Sequence, residues 1–133
     1  MENYSATGKS AIGLNANLTA ALGYPIGLLG LVSFFMDKDN KFVRFHGIQS
    51  VLYSVAVGIV FTVILIILAI VGVIISQLTD TLGILIWILY VLLFLAFMVV
   101  WFGMLLYSAY RAYKVQTFKL PLVGNFAEKI VNK

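Results

Sequence analysis

Two long uncharged runs decide what this chain can become. Val51–Ile75 and Leu82–Tyr110 hold 25 and 29 residues without an Asp, Glu, Lys or Arg. Each exceeds the roughly 18 apolar residues that mark a membrane crossing. A water-soluble fold of 133 residues has too little interior to hide both. The charged fraction agrees, at 11% against roughly 25% in average proteins. The expected fold class is therefore all-α, an integral membrane protein of one domain.

A third apolar stretch, Leu18–Met36, precedes these runs. It follows a polar segment with one cation, Lys9, and ends in Asp37-Lys38-Asp39 rather than at a small-residue cleavage site, so it reads as a retained span. Nineteen helical residues reach roughly 28 Å, close to the hydrocarbon thickness. The organisation expected is a flexible N-terminal tail over residues 1–17 and a transmembrane helical domain over 18–133. That domain is a three-helix bundle with spans at about 18–36, 48–75 and 82–110. Asn17 is a candidate cap for the first helix. Pro25 removes a backbone donor and should kink that helix. Gly23, Gly27 and Gly30 approximate one face, and Gly23-x-x-x-Gly27 lets another helix approach closely. These four residues form the candidate helix-packing set.

Asp37-Lys38-Asp39-Asn40-Lys41 makes a short charged turn. It begins like a calcium loop, but Lys41 stands where a third oxygen ligand belongs, and the required glycine and closing glutamate are missing. The second helix should begin near Phe42. A six-residue turn, Ser76–Thr81, then makes the second and third helices antiparallel neighbours. The third helix runs from Leu82 to about Lys114, and its uncharged part, roughly 43 Å, outruns the bilayer core. Trp87 at one end and Tyr107, Tyr110, Arg111 and Tyr113 at the other are candidate interfacial anchors. Trp101 lies too deep for that belt and should pack on a neighbouring helix. After Pro121, a residue suited to a first helical turn, Leu122, Phe126 and Ile130 recur every fourth residue beside Val123, Ala127 and Val131. Segment 121–132 reads as an amphipathic helix on the membrane surface or capping the bundle.

Charge gives an orientation. With three spans, one side carries only Lys9. The other carries Lys38, Lys41, Arg44, Arg111, Lys114, Lys119, Lys129 and Lys133. Eight against one places the C-terminus in the cytoplasm and the N-terminus outside, in a multi-pass protein of a prokaryotic cell membrane. Net charge is +4, but the cations collect beside the spans, so a nucleic-acid partner is not expected.

No catalytic set is visible. The single histidine, the absence of cysteine and five scattered acids leave no triad, metal cluster or paired carboxylates within a span. No ionisable group sits at bilayer depth, where ion and proton carriers keep one. The chain reads as a non-enzyme with no cofactor. The most informative patch lies where the second helix enters the interface: Lys41, Arg44, His46 and Gln49. Its functional reading is a site for a lipid headgroup, a protein partner or, through the His46 imidazole, a pigment or haem. Its plainer reading is structural, with Arg44 snorkelling and His46 and Gln49 tying the turn to the third helix or C-tail.

Phe42-Val43-Arg44-Phe45-His46-Gly47-Ile48-Gln49-Ser50 resembles the FVRFHAMQS segment of a family of small prokaryotic membrane proteins without assigned function. Gly47 and Ile48 stand where that family has Ala and Met. Phe118–Lys129 is similar to the same family's KLPIIGDIAEK close, and with Leu22–Phe35 the likeness runs from about residue 16 to near the end. The resemblance implies a three-helix membrane protein. That family is in turn distantly similar to the Tic-type inner-envelope subunit of the chloroplast import translocon, a likeness that brings no catalytic residue. The leading expectation is a structural or accessory membrane protein whose partners are lipids, other membrane proteins or further copies of itself. The alternatives are an oligomeric translocation or channel component and a small subunit of an energy-converting membrane complex.

Overall fold

The computed structural model describes residues 4–133, and five helices form among them: α1 Ala16–Leu22, α2 Gly27–Met36, α3 Lys41–Ser76, α4 Asp80–Tyr113 and α5 Gly124–Val131. The chain divides into two compact units. One combines residues up to Ala56 with Gly103–Lys133, and the other is Val57–Phe102.

α3 and α4 have 36 and 34 residues, so they extend roughly 54 and 51 Å, well beyond a hydrocarbon core of roughly 30 Å. Only 6% of the most apolar window of each helix is buried. Side chains such as Ile59, Ile74, Val99 and Val100 stand open. A core helix of a soluble protein would be covered and a leader would sit at the N-terminus. Neither description fits, and lipid is the solvent that accepts such surfaces.

In the Val57–Phe102 unit, the two helical segments are joined by Gln77–Thr79. Thr79 Oγ1 accepts the Leu82 N–H at 3.2 Å, and Asp80 occupies the positive end of α4. A methyl group on Gly83 would meet Ser76 Cβ at 2.9 Å, so the helices close tightly at the turn. Phe61 stacks on Phe97 with centroids 3.4 Å apart. Trp101 lies beside Gly58, Phe61 and Thr62 of the facing helix.

In the other unit, the continuous first span expected over 18–36 is replaced by two short helices. α1 stops at Leu22 and α2 restarts at Gly27. Pro25 supplies no N–H and biases Tyr24 away from helical dihedrals, so a break results where a kink was expected. The ten residues of α2 reach roughly 15 Å, half the hydrocarbon thickness. The glycine contacts also differ from expectation. A Cβ on Gly27 would meet open space, so Gly27 packs against no other segment of this chain among the described residues. The close approach is made by Gly23, Gly30 and Gly47. A Cβ on Gly23 would lie 3.1 Å from Gly30 Cα, and one on Gly30 would lie 2.6 Å from Ser50 Oγ. One on Gly47 would overlap the Gly30 carbonyl oxygen.

The N-terminal segment expected to be flexible is anchored at the buried Tyr4 and Ser10, and residues 1–3 lie outside the described residues. The buried Tyr4 donates its N–H to Thr117 Oγ1 at 3.3 Å and its hydroxyl to Asn132 Oδ1 at 3.2 Å. The chain then doubles back through Gly8 and Gly13, both at positive φ, and Lys9 pairs with Asn15. Ala11 N–H reaches Asp37 Oδ1 at 2.6 Å. Asn15, not Asn17, precedes α1. Asn17 instead donates to the Tyr113 carbonyl at 3.1 Å. Three spans would have parted the termini to opposite faces of a membrane; the contacts of Tyr4 hold the two ends of the chain together.

α5 begins at Gly124, three residues later than Pro121, because Leu122 takes a left-handed φ of 73°. Val123, Ala127 and Val131 are buried, while Leu122, Phe126 and Ile130 are exposed. The apolar side of α5 is therefore two stripes with different surroundings.

Replacing Gly47 by leucine should lower unfolding stability in detergent by about 3 kcal/mol or more, since overpacking against backbone cannot relax by side-chain rotation. Gly27→Leu should change it by less than about 0.5 kcal/mol, as for other open sites. Thermal melting of the two variants beside the parent checks both, and equal losses would contradict the contact described.

Candidate functional site

The patch expected at the start of α3 separates into an inner and an outer part. The first three turns of α3 carry His46, Gln49 and Ser50 inward and Lys41 outward, with Arg44 half-buried between them. His46 and Gln49 are fully buried. Tyr24, at the break between α1 and α2, meets both. Its hydroxyl lies 2.9 Å from His46 Nδ1 and accepts a hydrogen bond from Gln49 Nε2 at 2.7 Å.

The same Nε2 donates to the Phe118 carbonyl at 2.8 Å, and Gln49 Oε1 accepts the Leu120 N–H at 3.1 Å. One amide thus holds the C-terminal segment as a neighbouring strand would, with a donor to one residue and an acceptor from the next but one. These backbone groups of the 114–123 connection have no helical partners, so the side chain meets a need the backbone cannot.

The network assigns its own protons. Burial pushes the Tyr24 phenol above its ordinary range, against the opposing effect of the Gln49 hydrogen bond. The phenol therefore keeps its hydrogen. With Gln49 already donating to the phenol oxygen, that hydrogen points to Nδ1, which leaves the imidazole proton on Nε2. Nε2 makes no hydrogen bond of ordinary geometry and faces the Gln116 backbone. Phe42, Phe45 and Tyr24 meet the ring at centroid distances of 4.6, 5.2 and 5.8 Å. Nδ1 is engaged and the ring is fully buried among these side chains.

The outer part is cationic and aromatic. Arg44 lies over the Phe34 ring at 5.1 Å. Lys41 Nζ reaches Asn132 Oδ1 at 3.4 Å. Arg111 covers Phe118 at 5.1 Å and donates to the Tyr107 hydroxyl at 3.0 Å. Lys114 lies 5.8 Å from the Tyr110 ring. Tyr107, Tyr110 and Tyr113 are exposed along the end of α4, and Trp87 is exposed near its beginning. Of the candidate packing residues, Gly23 and Gly30 are buried, whereas Pro25 and Gly27 are exposed. Among the described residues no three His, Asp or Glu side chains gather as a metal site would require.

Sequence reasoning missed Tyr24 as a site residue and Gly47 as a packing residue. A tyrosine immediately before proline, in an otherwise apolar segment, was the available signal. It places a hydroxyl at a helix break that needs a buried partner.

Residues 9–127 match the model of the MamF/MmsF family. The chain belongs to this magnetosome magnetite crystal formation protein family. It is 31% identical over 123 residues to a UPF0132 membrane protein of Methanocaldococcus jannaschii, covering 92% of this chain and 94% of the relative. A second UPF0132 membrane protein of that organism is 26% identical over 121 residues, 90% of this chain and 72% of the relative. One from Archaeoglobus fulgidus is 29% identical over 117 residues, 87% of this chain and 95% of the relative. No solved structure matches. The match to the MamF/MmsF family takes in α1 to α4 and the first turn of α5, so the Tyr24–His46–Gln49 network lies wholly inside it.

Gln49→Ala leaves the Phe118 carbonyl, the Leu120 N–H and the Tyr24 hydroxyl short of a partner, and should cost about 3 kcal/mol. Tyr24→Phe removes one hydroxyl and should cost about 1 kcal/mol. Chemical unfolding in detergent compares them. Limited proteolysis should cut the Gln49→Ala variant first between Tyr113 and Gly124.

Proposed function

We propose that this MamF/MmsF family member is a non-enzymatic accessory protein of the membrane, acting by what it holds and presents rather than by chemistry. The observation that carries this reading is the closed network of Tyr24, His46 and Gln49. The side chains best suited to acid–base or ligand work are buried and engaged with one another and with the backbone of the C-terminal segment. The family is named for magnetite crystal formation; for this chain that name fits a part played through scaffolding and binding at a membrane. A translocation or channel role would require oligomerisation, because two crossings enclose no aqueous path by themselves.

The same reading supplies a topology. α3 and α4 are the two crossings, and the broken pair α1–α2 stays on the side of the termini. All nine Lys and Arg residues then lie on that side, and the Gln77–Thr79 turn carries none. Nine against none is a stronger positive-inside asymmetry than three spans would give, and it puts both termini in the cytoplasm.

Gentle extraction from the native membrane, followed by native mass measurement, tests the accessory role. The expected result is a colourless protein with retained lipid, a protein partner or a second copy. A lone protein with a turnover activity would end this reading. Reporter fusions test the topology: both terminal fusions should report cytoplasm, and a fusion within 77–79 should report the outside. An external N-terminal reporter would restore three crossings.

A further inference from the structure

α5 carries more apolar surface than its packing uses. The stripe Val123, Ala127 and Val131 is buried, at 6%, 0% and 3% exposure. A helix that served only as a cap would need nothing more. Yet Leu122, Phe126 and Ile130 follow as a second stripe, at 76%, 63% and 37% exposure, on the side turned to the surroundings. Exposed aromatic and branched side chains aligned along two turns are costly in water unless something covers them.

The charges beside this stripe identify the cover. Within α5, at roughly 100° per residue, Lys129 falls along the edge of Phe126 and Ile130, and Lys133, just past the helix end, borders the same side chains. Lys129 Nζ lies 5.9 Å from the Phe126 ring. The acid of α5, Glu128, borders the same surface and is neutralised by Lys119 at 2.6 Å. Lys129 and Lys133 are therefore left beside the stripe without an ion-pair partner among the described residues. With the Lys119–Glu128 pair on its wall, an open depression of about 700 Å³ joins Phe126 and Ile130 to Lys129 and Lys133. That pairing suits a phosphate attached to hydrocarbon.

We propose that the outer stripe of α5 docks on the headgroup layer of an anionic leaflet, with Phe126 and Leu122 entering the acyl boundary and Lys129 and Lys133 meeting lipid phosphates. Two further observations favour lipid over a protein partner. A two-turn stripe of three side chains falls far short of the roughly 800 Å² per partner that a stable protein interface buries. The end of α4 already presents the aromatic and cationic belt of a membrane interface, through exposed Tyr107 and Tyr110 with Arg111 and Lys114 against them. Only ten residues separate the end of that helix from α5. α5 is then a contact whose strength follows leaflet charge, separate from the fixed anchorage of α3 and α4. This inference deepens the accessory reading by naming the lipid class and the surface.

The chain contains no cysteine, so Asn125→Cys can carry a single environment-sensitive fluorophore beside the intact stripe. The labelled full-length protein is placed in lipid discs of phosphatidylcholine, with or without phosphatidylglycerol. Headgroup-linked nitroxide then serves as quencher. Emission should shift to the blue and quenching should rise with phosphatidylglycerol. Lys129→Glu and Lys133→Glu should each lower the docked-to-free ratio about fivefold, and salt should do the same. Both lysines are exposed, so unchanged melting of the variants confirms that the fold is kept. A water-like, unquenched probe in both lipids would overturn the proposal. Quenching equal in both lipids would overturn it too, because charge would then play no part. Probe shielding that persists in detergent and disappears on dilution would show that a second copy covers the stripe, and would refute lipid docking. None of these outcomes touches the accessory role, which rests on what co-purifies.

Discussion

The backbone of α2 touches the backbone of α3, and the unit that holds both chain ends is arranged around that contact. Gly30 and Gly47 approach so closely that a methyl group on either would enter the other segment. Ser50 closes the same place by donating to the Gly47 carbonyl at 2.8 Å, with its hydroxyl under Gly30. Without side chains between them, the two helices approach as close as glycine permits, which gains dispersion contacts along both backbones. The approach also sets register. With Gly47 against Gly30, the residues on either side of it on α3, His46 and Gln49, come level with the break that precedes α2, and Tyr24 reaches both.

Polar satisfaction explains why this particular trio fills the interior. A break in a helix frees backbone groups, and a connection such as 114–123 has few internal partners for its own. Water would normally supply them. In a unit whose interior holds Phe42, Phe45 and Leu120 at or near zero exposure, the supply must come from side chains. Gln49 is suited because its amide offers donor and acceptor on one planar group. The Leu120 N–H and Phe118 carbonyl are spaced to receive it. Tyr24 completes the second donor's geometry and His46 accepts from the phenol in turn. Each member leaves another short if removed, so the set behaves as a unit rather than as a sum of pairs.

Much of this was legible in the residues, and the rest was hidden for identifiable reasons. The two long apolar helices and the turn between them follow from uncharged length alone, because a bilayer admits few alternatives. Gln49 pointing to the C-tail followed from the cost of leaving an amide in lipid. The first segment was misread because hydropathy measures composition, and Leu18–Met36 has the composition of a span; whether Pro25 kinks a helix or ends it depends on tertiary partners for Tyr24. Spacing points to Gly27, since Gly23-x-x-x-Gly27 is visible along one helix. The contact that forms joins residues of two helices and leaves no trace in a local pattern. Gly47 has no Cβ, and that is what lets α2 come so close. The packed N-terminal segment was missed because its order comes from Thr117, Asn132 and Asp37, all remote in sequence.

Topology and site turn out to be one decision, made at Gly23-Tyr24-Pro25. A straight helix through this point would carry Tyr24 along its barrel and take the N-terminal residues a bilayer's width from Asn132. Breaking it returns the chain on itself. Tyr24 then enters the unit that holds His46, and Tyr4 closes against the C-terminal segment. Ala11 reaches the end of α2 through Asp37. The charge distribution changes meaning with it. Under three crossings Lys9 is an exception to be tolerated, whereas under two it joins the other eight cations, and the exception disappears. A single dipeptide, tyrosine before proline, thus links the polar interior to the two-crossing topology proposed above.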